Sequence, residues 1–294
     1  MHNKLKGTGV AIVTPFLSNG NVDYKGLENL VERLITQGIN YIVVLGTTGE
    51  TATLSKEEKL EVINCIKAKN AGRVPLVIGI GGNNTSELVH QLQTFNYEGF
   101  TAVLSVSPYY NKPSQQGIIE HYKMLAKVSA LPIILYNVPG RTGSNLTAQT
   151  TLFLANNVPN ICGIKEASGN MEQIMQIIKS KPNNFMVISG DDNLTLPIIA
   201  AGGWGVISVT ANAFTKDYCE MVNLCLQGNF DSARALHYKL IGLTDLFFAD
   251  GNPGGVKAAL KMLQVCDDNV RLPLVKVNAT IYQQLHDAIA KYEY

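Results

Sequence analysis

The feature that most constrains this chain is an alternation of short apolar runs with longer amphipathic stretches. The runs are GVAIVT from Gly9, YIVVLG from Tyr41, PLVIGI from Pro75 and TAVLSV from Thr101, then PIILYN from Pro132, ICGIK from Ile161, FMVIS from Phe185 and GVISVT from Gly205. Each is nearly continuous in apolar side chains, the pattern of parallel strands covered on both faces. Helical patterns fill the gaps. After Asp23, the residues Leu27, Leu30, Val31, Leu34 and Ile35 share one helical face, and Gly38 is a stop signal. Ser55 with Glu58 forms a capping box before Leu60, Ile63 and Ile66, and Asn84 with Glu87 gives a weaker start before Leu88, Leu92 and Phe95. Eight strand candidates, each followed by a helical segment, predict an α/β fold: a (β/α)8 TIM barrel, with a doubly wound open sheet as its rival.

The 294 residues fit one barrel of typically ~250 residues plus a short appendage. The last run ends near Thr210, and its crossover helix is expected over Thr215 to Leu226. We therefore expect a catalytic barrel over residues 1–229 and a small C-terminal helical extension over 230–294.

Hydrophobic residues make up 46% and charged ones 16% of the chain, enough apolar surface for a large core. The formal net charge of +1 offers no basic excess for a phosphate backbone, which argues against a nucleic-acid partner. Cys65, Cys162, Cys219, Cys225 and Cys266 form no C-x-x-C and read as reduced thiols of a reducing compartment. Five scattered histidines, none three or four residues from another His or Cys, give no support for a metal site. The opening MHNKLKGTGV does not read as a signal peptide, and no apolar run nears the ~20 residues of a membrane span. A cytoplasmic protein without membrane association is expected.

In such a barrel the chemistry sits where strands end and βα loops begin. The second run ends in Gly46-Thr47-Thr48-Gly49-Glu50 and the fourth in Ser107-Pro108-Tyr109-Tyr110-Asn111. The fifth ends in Tyr136-Asn137-Val138-Pro139-Gly140-Arg141-Thr142, the sixth in Lys165-Glu166, and the seventh in Ser189-Gly190-Asp191-Asp192. Lys165 follows an apolar run, where burial disfavours the charged form and favours the free amine that a Schiff base requires. On pattern alone, a lysine snorkelling to solvent just past the strand end is the commoner arrangement. Tyr136 can act as a proton relay or as a rim tyrosine, with Thr47 as a neighbouring hydroxyl or a plain turn residue. Arg141 offers a bidentate fork for a carboxylate, or is a solvated loop charge. Gly79-x-Gly81-Gly82 lacks the dinucleotide spacing and reads as a tight turn. The pair Asp191-Asp192 is weak evidence for a metal.

Together these pieces resemble the dihydrodipicolinate synthase family of pyruvate-dependent lysine-Schiff-base lyases. The matching segments are GVAIVTPF, GTTGETATL, SPYYNKPSQQG, YNVPGRTG, GIKEASGN, SGDD and GVISVTAN, in order from Gly9 to Asn212. The resemblance implies roles. Lys165 forms an imine with pyruvate, Tyr136 shuttles protons, and Thr47 links Tyr136 to Tyr110, which reaches in from a neighbouring subunit of a homotetramer. Thr48 and the turn amides hold the pyruvate carboxylate. Arg141 binds the carboxylate of aspartate semialdehyde, and Gly190 and Ile207 line the pocket through backbone groups. No external cofactor or metal is implied. The family often has Asn-Pro-Ile-Pro-Val-Lys where this chain reads Asn252-Pro253-Gly254-Gly255-Val256-Lys257. That departure bears on local helix packing and not on the carried-over site.

The nearest alternative is a sister enzyme, N-acetylneuraminate lyase or a keto-deoxy-sugar acid aldolase or dehydratase; Arg141 favours a short substrate with a carboxylate over a polyol. A non-catalytic relative would be expected to have lost Lys165 or Tyr136. Many family members are inhibited by lysine at a subunit interface, matched here by Thr51 to Lys59, Asn83 to Glu87, and Tyr109. Lys56 and Lys59 share a helix face there, so weak or absent lysine inhibition is expected.

Overall fold

The computed structural model describes residues 2–292. Met1 and Glu293–Tyr294, the outer ends of the two expected spans, lie outside those residues. Eight parallel strands close in sequence order: β1 Gly7–Ala11, β2 Tyr41–Val44, β3 Leu76–Gly79, β4 Phe100–Val106, β5 Ile133–Asn137, β6 Ile161–Glu166, β7 Met186–Ser189 and β8 Gly205–Ser208. β1 pairs with both β2 and β8, which excludes the open sheet. The helices are α1 Tyr24–Thr36, α2 Lys56–Asn70, α3 Thr85–Thr94, α4 Gln115–Val128, α5 Pro139–Thr142 and α6 Ala148–Asn157, then α7 Met171–Ser180, α8 Thr195–Ala200, α9 Thr215–Leu226, α10 Phe230–Phe248, α11 Gly254–Met262 and α12 Ala279–Ala290. Among the described residues, no helix is long and apolar enough to cross a membrane, and all five cysteines are free thiols.

Local chemistry explains the boundaries. Ser55 and Glu58 form the expected capping box at the start of α2, and Asn84 caps α3. Gly38 takes the left-handed conformation just past α1. β1 starts two residues before the expected Gly9 and stops at Ala11, because the amide of Val13 turns to Asn212 Oδ1 at 3.2 Å. β8 stops at Ser208 because the amides of Val209 and Thr210 bind the Asp192 carboxylate at 3.0 and 3.4 Å. The paired acids are thus end caps: Asp191 accepts from the amide of Asn193 at 3.1 Å. The expected glycine turn after β3 is also corrected. Gly79 closes the strand, and a Cβ at Gly81 would lie 2.8 Å from the amide of Val106, so Gly81 serves close approach to the neighbouring chain segment.

Strand alternation separates two cores. Tyr41, Val43, Val77, Leu104, Ile134 and Ile188 belong to one cluster, filling the barrel. Their strand neighbours Ile42, Val44, Ile78, Val103 and Ile133 belong to the other, packed under the helices. Tyr41 on β2 lies across Gly9 of β1 and donates to the carbonyl of Val206 on β8 at 3.1 Å.

The C-terminal helices also close on the barrel's loops. Gly255 lets α11 lie against α10, since a Cβ there would come 2.5 Å from the carbonyl oxygen of Phe247. The departure at Gly254-Gly255 therefore gives tight helix packing. Lys257 forms a 2.5 Å ion pair with Glu50, and both side chains are fully buried. Lys257 also donates to the carbonyl of Asn269 at 2.8 Å, and the amide of Arg271 donates to Glu50 at 3.1 Å. Removing one member of a buried pair strands the other charge. Lys257→Met should therefore lower unfolding stability by about 3–5 kcal/mol, with part recovered when Glu50→Gln removes the stranded charge. Thermal unfolding of the single and double variants checks this; a single variant as stable as wild type would contradict it.

Candidate active site

In the fold, Lys165 lies within β6 and is 6% exposed, not snorkelling past the strand end. Its direction depends on an irregularity. Ile133 pairs with Ile161, but the next residue, Ile134, pairs with Gly163, so Cys162 is an extra residue in the ladder. Cys162 lies in the barrel-filling cluster, whereas Ile161 and Ile164 lie in the helix-facing one. Paired residues of parallel strands share a face. Gly163 and Lys165 therefore face inward with Ile134 and Tyr136. Without the bulge, alternation from Cys162 would turn Lys165 toward the helices. Gly163 makes the bulge possible: a Cβ there would sit 2.8 Å from the carbonyl oxygen and 2.9 Å from the Cβ of Met186 on β7.

Tyr136 and Lys165 are direct register partners, and the Lys165 Nζ stands 4.4 Å from the centroid of the Tyr136 ring. Tyr136 is itself buried. The next pair out, Asn137 and Glu166, faces the helices and clamps the two strands together. Asn137 Nδ2 donates to both Glu166 oxygens at 3.0 and 3.1 Å, and Gln173 Nε2 and the amide of Ser168 add bonds at 3.0 and 2.9 Å. Burial pushes the Glu166 carboxyl up, against the pull of these donors. Asn137 Oδ1 also accepts from the amide of Leu146 at 2.9 Å, which ties down the far end of the Arg141 loop.

The other sequence candidates lie at or just past the C-terminal ends of their strands, the same end of the barrel as this pair. Gly190 follows β7, where a Cβ would meet Lys165 Cε at 2.9 Å, so glycine leaves room for the lysine stem. Ile207 on β8 is buried in the same interior cluster as Tyr136. Thr48 is buried in a 3-10 turn over Thr47–Gly49, and the preceding Thr47 is exposed. Among the described residues, no hydrogen bond joins Thr47 to Tyr136 or Tyr110. Arg141 is exposed on α5. Tyr110 is 88% exposed at a φ of 70°, a conformation costly for an aromatic residue. Its amide donates to the carbonyl of Thr142 at 3.3 Å, joining its loop to the Arg141 turn. Among the described residues, no group of three or more His, Cys, Asp or Glu is placed to hold a metal.

The departing residues Gly254 and Gly255 bear on helix packing, but the residues on either side of them reach the Thr48 turn. Asn252 Nδ2 donates to Thr48 Oγ1 at 3.1 Å, and Lys257 holds Glu50 two residues further along the turn. Sequence reasoning missed Asn252 because 204 residues separate it from its partner; the asparagine within the matched Asn-Pro segment was the available signal.

A family model described as the dihydrodipicolinate synthetase family matches residues 4–292. The chain is 50% identical to the 4-hydroxy-tetrahydrodipicolinate synthase of Parabacteroides distasonis, over 97% of this chain and 96% of the relative. It is 53% identical to that of Flavobacterium psychrophilum, over 95% of both chains. The solved structure of a chloride-inhibited dihydrodipicolinate synthase from Acinetobacter baumannii, complexed with pyruvate, is similar at a TM-score of 0.94 and 41% identity, covering 97% of this chain and 98% of that one.

Two glycines test the geometry. Gly190→Ala should displace the Lys165 stem and slow the reaction of its amine with a carbonyl compound, on the order of a hundredfold, for a shift of about an ångström. Gly163→Ala should in addition lower stability by about 1–3 kcal/mol, because the new methyl meets backbone. Amine reactivity and melting temperature, measured on both, check this; wild-type reactivity in either variant would contradict it.

Proposed function

The chain belongs to the dihydrodipicolinate synthetase family, and we propose that it condenses pyruvate with L-aspartate-4-semialdehyde through a Schiff base on Lys165. The product is 4-hydroxy-tetrahydrodipicolinate, in the diaminopimelate route to lysine. The chain is a lyase of this family, and the observation that carries the mechanism is the buried Lys165 amine held over the Tyr136 ring. The Lys165 amine attacks the keto carbon of pyruvate, and water leaves to give the protonated imine. This imine is an electron sink, so a methyl proton departs and an enamine forms. The enamine carbon attacks the aldehyde of the second substrate. The substrate amine then displaces Lys165 by ring closure. The imine formed on the lysine is itself the electron sink, so the chemistry calls on no external cofactor.

Tyr136 is the proton relay in this reading, supported by its burial and its place beside the amine. Thr48 and the turn amides take the pyruvate carboxylate. Exposed Arg141 takes the carboxylate of the semialdehyde at the entrance, and the backbones of Gly190 and Ile207 line the pocket. Thr47 completes a hydroxyl chain from Tyr136 to Tyr110 of the partner subunit. The strained, almost fully exposed Tyr110 supports this assembly, because such a side chain gains a partner only outside its own chain. We read the active form as a cytoplasmic homotetramer, a dimer of dimers, with residues 1–229 as the catalytic barrel and 230–294 as its helical extension.

Purified protein should consume pyruvate with aspartate semialdehyde and not with N-acetylmannosamine; the reverse preference would favour the sugar-acid lyases. Tyr136→Phe should cut turnover by ~10²–10⁴-fold with an unchanged melting curve. Arg141→Ala should weaken use of the semialdehyde roughly ten- to hundredfold, the worth of a charge-assisted carboxylate contact. Equal loss for pyruvate would contradict its entrance role.

Lysine inhibition is expected to be weak. Lys56 is exposed and Lys59 half-buried on α2, while Glu58 between them is held by Arg271. Like charges at ~4 Å cost about 1 kcal/mol in water and up to ~4 kcal/mol at an effective dielectric of 20. Initial rates at saturating pyruvate check this, and half-inhibition by lysine below about a millimolar, an affinity beyond ~4 kcal/mol, would contradict it.

A further inference from the structure

We propose that Asn252, from the C-terminal helical region, is a positioning residue that sets the Thr48 hydroxyl as a hydrogen-bond donor to the carboxylate of the keto-acid substrate. The proposal rests on the reading of Thr48 given above. Asn252 lies in the link between α10 and α11 and is 6% exposed; Thr48 is 3% exposed. The side-chain amide of Asn252 donates to Thr48 Oγ1 at 3.1 Å. A hydroxyl has one hydrogen to give and lone pairs to receive. With a lone pair occupied by Asn252, the Thr48 hydrogen is free to point into the barrel mouth. A carboxylate can only accept, so it takes that hydrogen. The chain of amide, hydroxyl and carboxylate also polarises each bond in the same sense.

The contact is built into the architecture. The same C-terminal segment grips the Thr48 turn through Lys257 on Glu50, the amide of Arg271 on Glu50, and Arg271 Nη1 on the carbonyl of Thr53 at 2.9 Å. On its other side, Asp250 accepts from the amide and side chain of Asn278 at 2.7 and 3.0 Å, fixing the link ahead of Asn252. Asn252 Oδ1 is buried without a partner among the described residues. An asparagine serving the fold alone would have both ends satisfied. Here the donor end is aimed at the Thr48 hydroxyl, the group read above as the partner of the substrate carboxylate.

The donor sense makes the identity of the residue testable. Asp at this position has the same shape but only accepts. It would draw the Thr48 hydrogen to itself and leave a lone pair and a negative charge facing the substrate carboxylate. Asn252→Ala should raise KM for pyruvate roughly five- to tenfold, the worth of one hydrogen bond. Asn252→Asp should raise it on the order of a hundredfold. KM for the semialdehyde should stay within about twofold in both, and kcat at saturating pyruvate should fall far less than kcat/KM. Against a Thr48→Val background, Asn252→Ala should add less than about twofold, because the hydroxyl through which it acts is gone. If the alanine variant fails to fold, the isosteric aspartate carries the test. Equal effects on both substrates, or an unchanged pyruvate KM in Asn252→Asp, would overturn the proposal while leaving Thr48 in place. An unchanged pyruvate KM in Thr48→Val would overturn the Thr48 reading, and this proposal with it.

Discussion

One extra residue in β6 decides which way Lys165 points. Strand side chains alternate strictly, so a lysine three positions after an inward Cys162 belongs on the outer face. The bulge at Cys162–Gly163 shifts the alternation by one and turns Lys165 to the interior. It leaves the next residue, Glu166, outside, where Asn137 and Gln173 bind its carboxylate. The same step gives an inward amine beside an inward phenol and an outward clamp that holds the two strands in register. Gly163 against Met186, and Gly190 against the lysine stem, are the small residues that make room for it.

The second constraint comes from the other end of the chain. A barrel's βα loops are its most adaptable parts, yet the turn carrying Thr48 is held from outside the barrel. The fully buried Lys257–Glu50 pair costs desolvation that only good geometry offsets. It therefore fixes one arrangement of the α11 segment against that turn, with Asn252 meeting Thr48 as a consequence. The C-terminal helices thus hold the Thr48 turn as well as packing on the barrel. Tyr110, exposed and strained, points the opposite way, outward from its own chain.

Much of this was legible in the sequence, and the exceptions have physical causes. Eight apolar runs gave eight strands within a few residues, because parallel strands buried on both faces leave an unmistakable pattern. The caps at Ser55 and Asn84 are local chemistry and appeared where expected. Strand ends were misjudged at β1 and β8, where Asn212 and Asp192 take amides that the ladder would otherwise use. Those partners are distant in sequence and carry no local signal. The inward sense of Lys165 was illegible for the same reason: the bulge is defined by pairing with β5, and the run ICGIK alone does not reveal it. The resemblance named the motif residues around Lys165, whereas Asn252 became visible only when the fold brought it to Thr48.

The central claim is that β6 presents Lys165 as the nucleophile toward pyruvate. Borohydride reduction in the presence of pyruvate, followed by mass mapping of peptides, tests it most directly. The account predicts a reduced pyruvyl adduct on Lys165 and on no other lysine, and no adduct when pyruvate is omitted. An adduct on a different lysine, or none under conditions where the protein turns over, would contradict it.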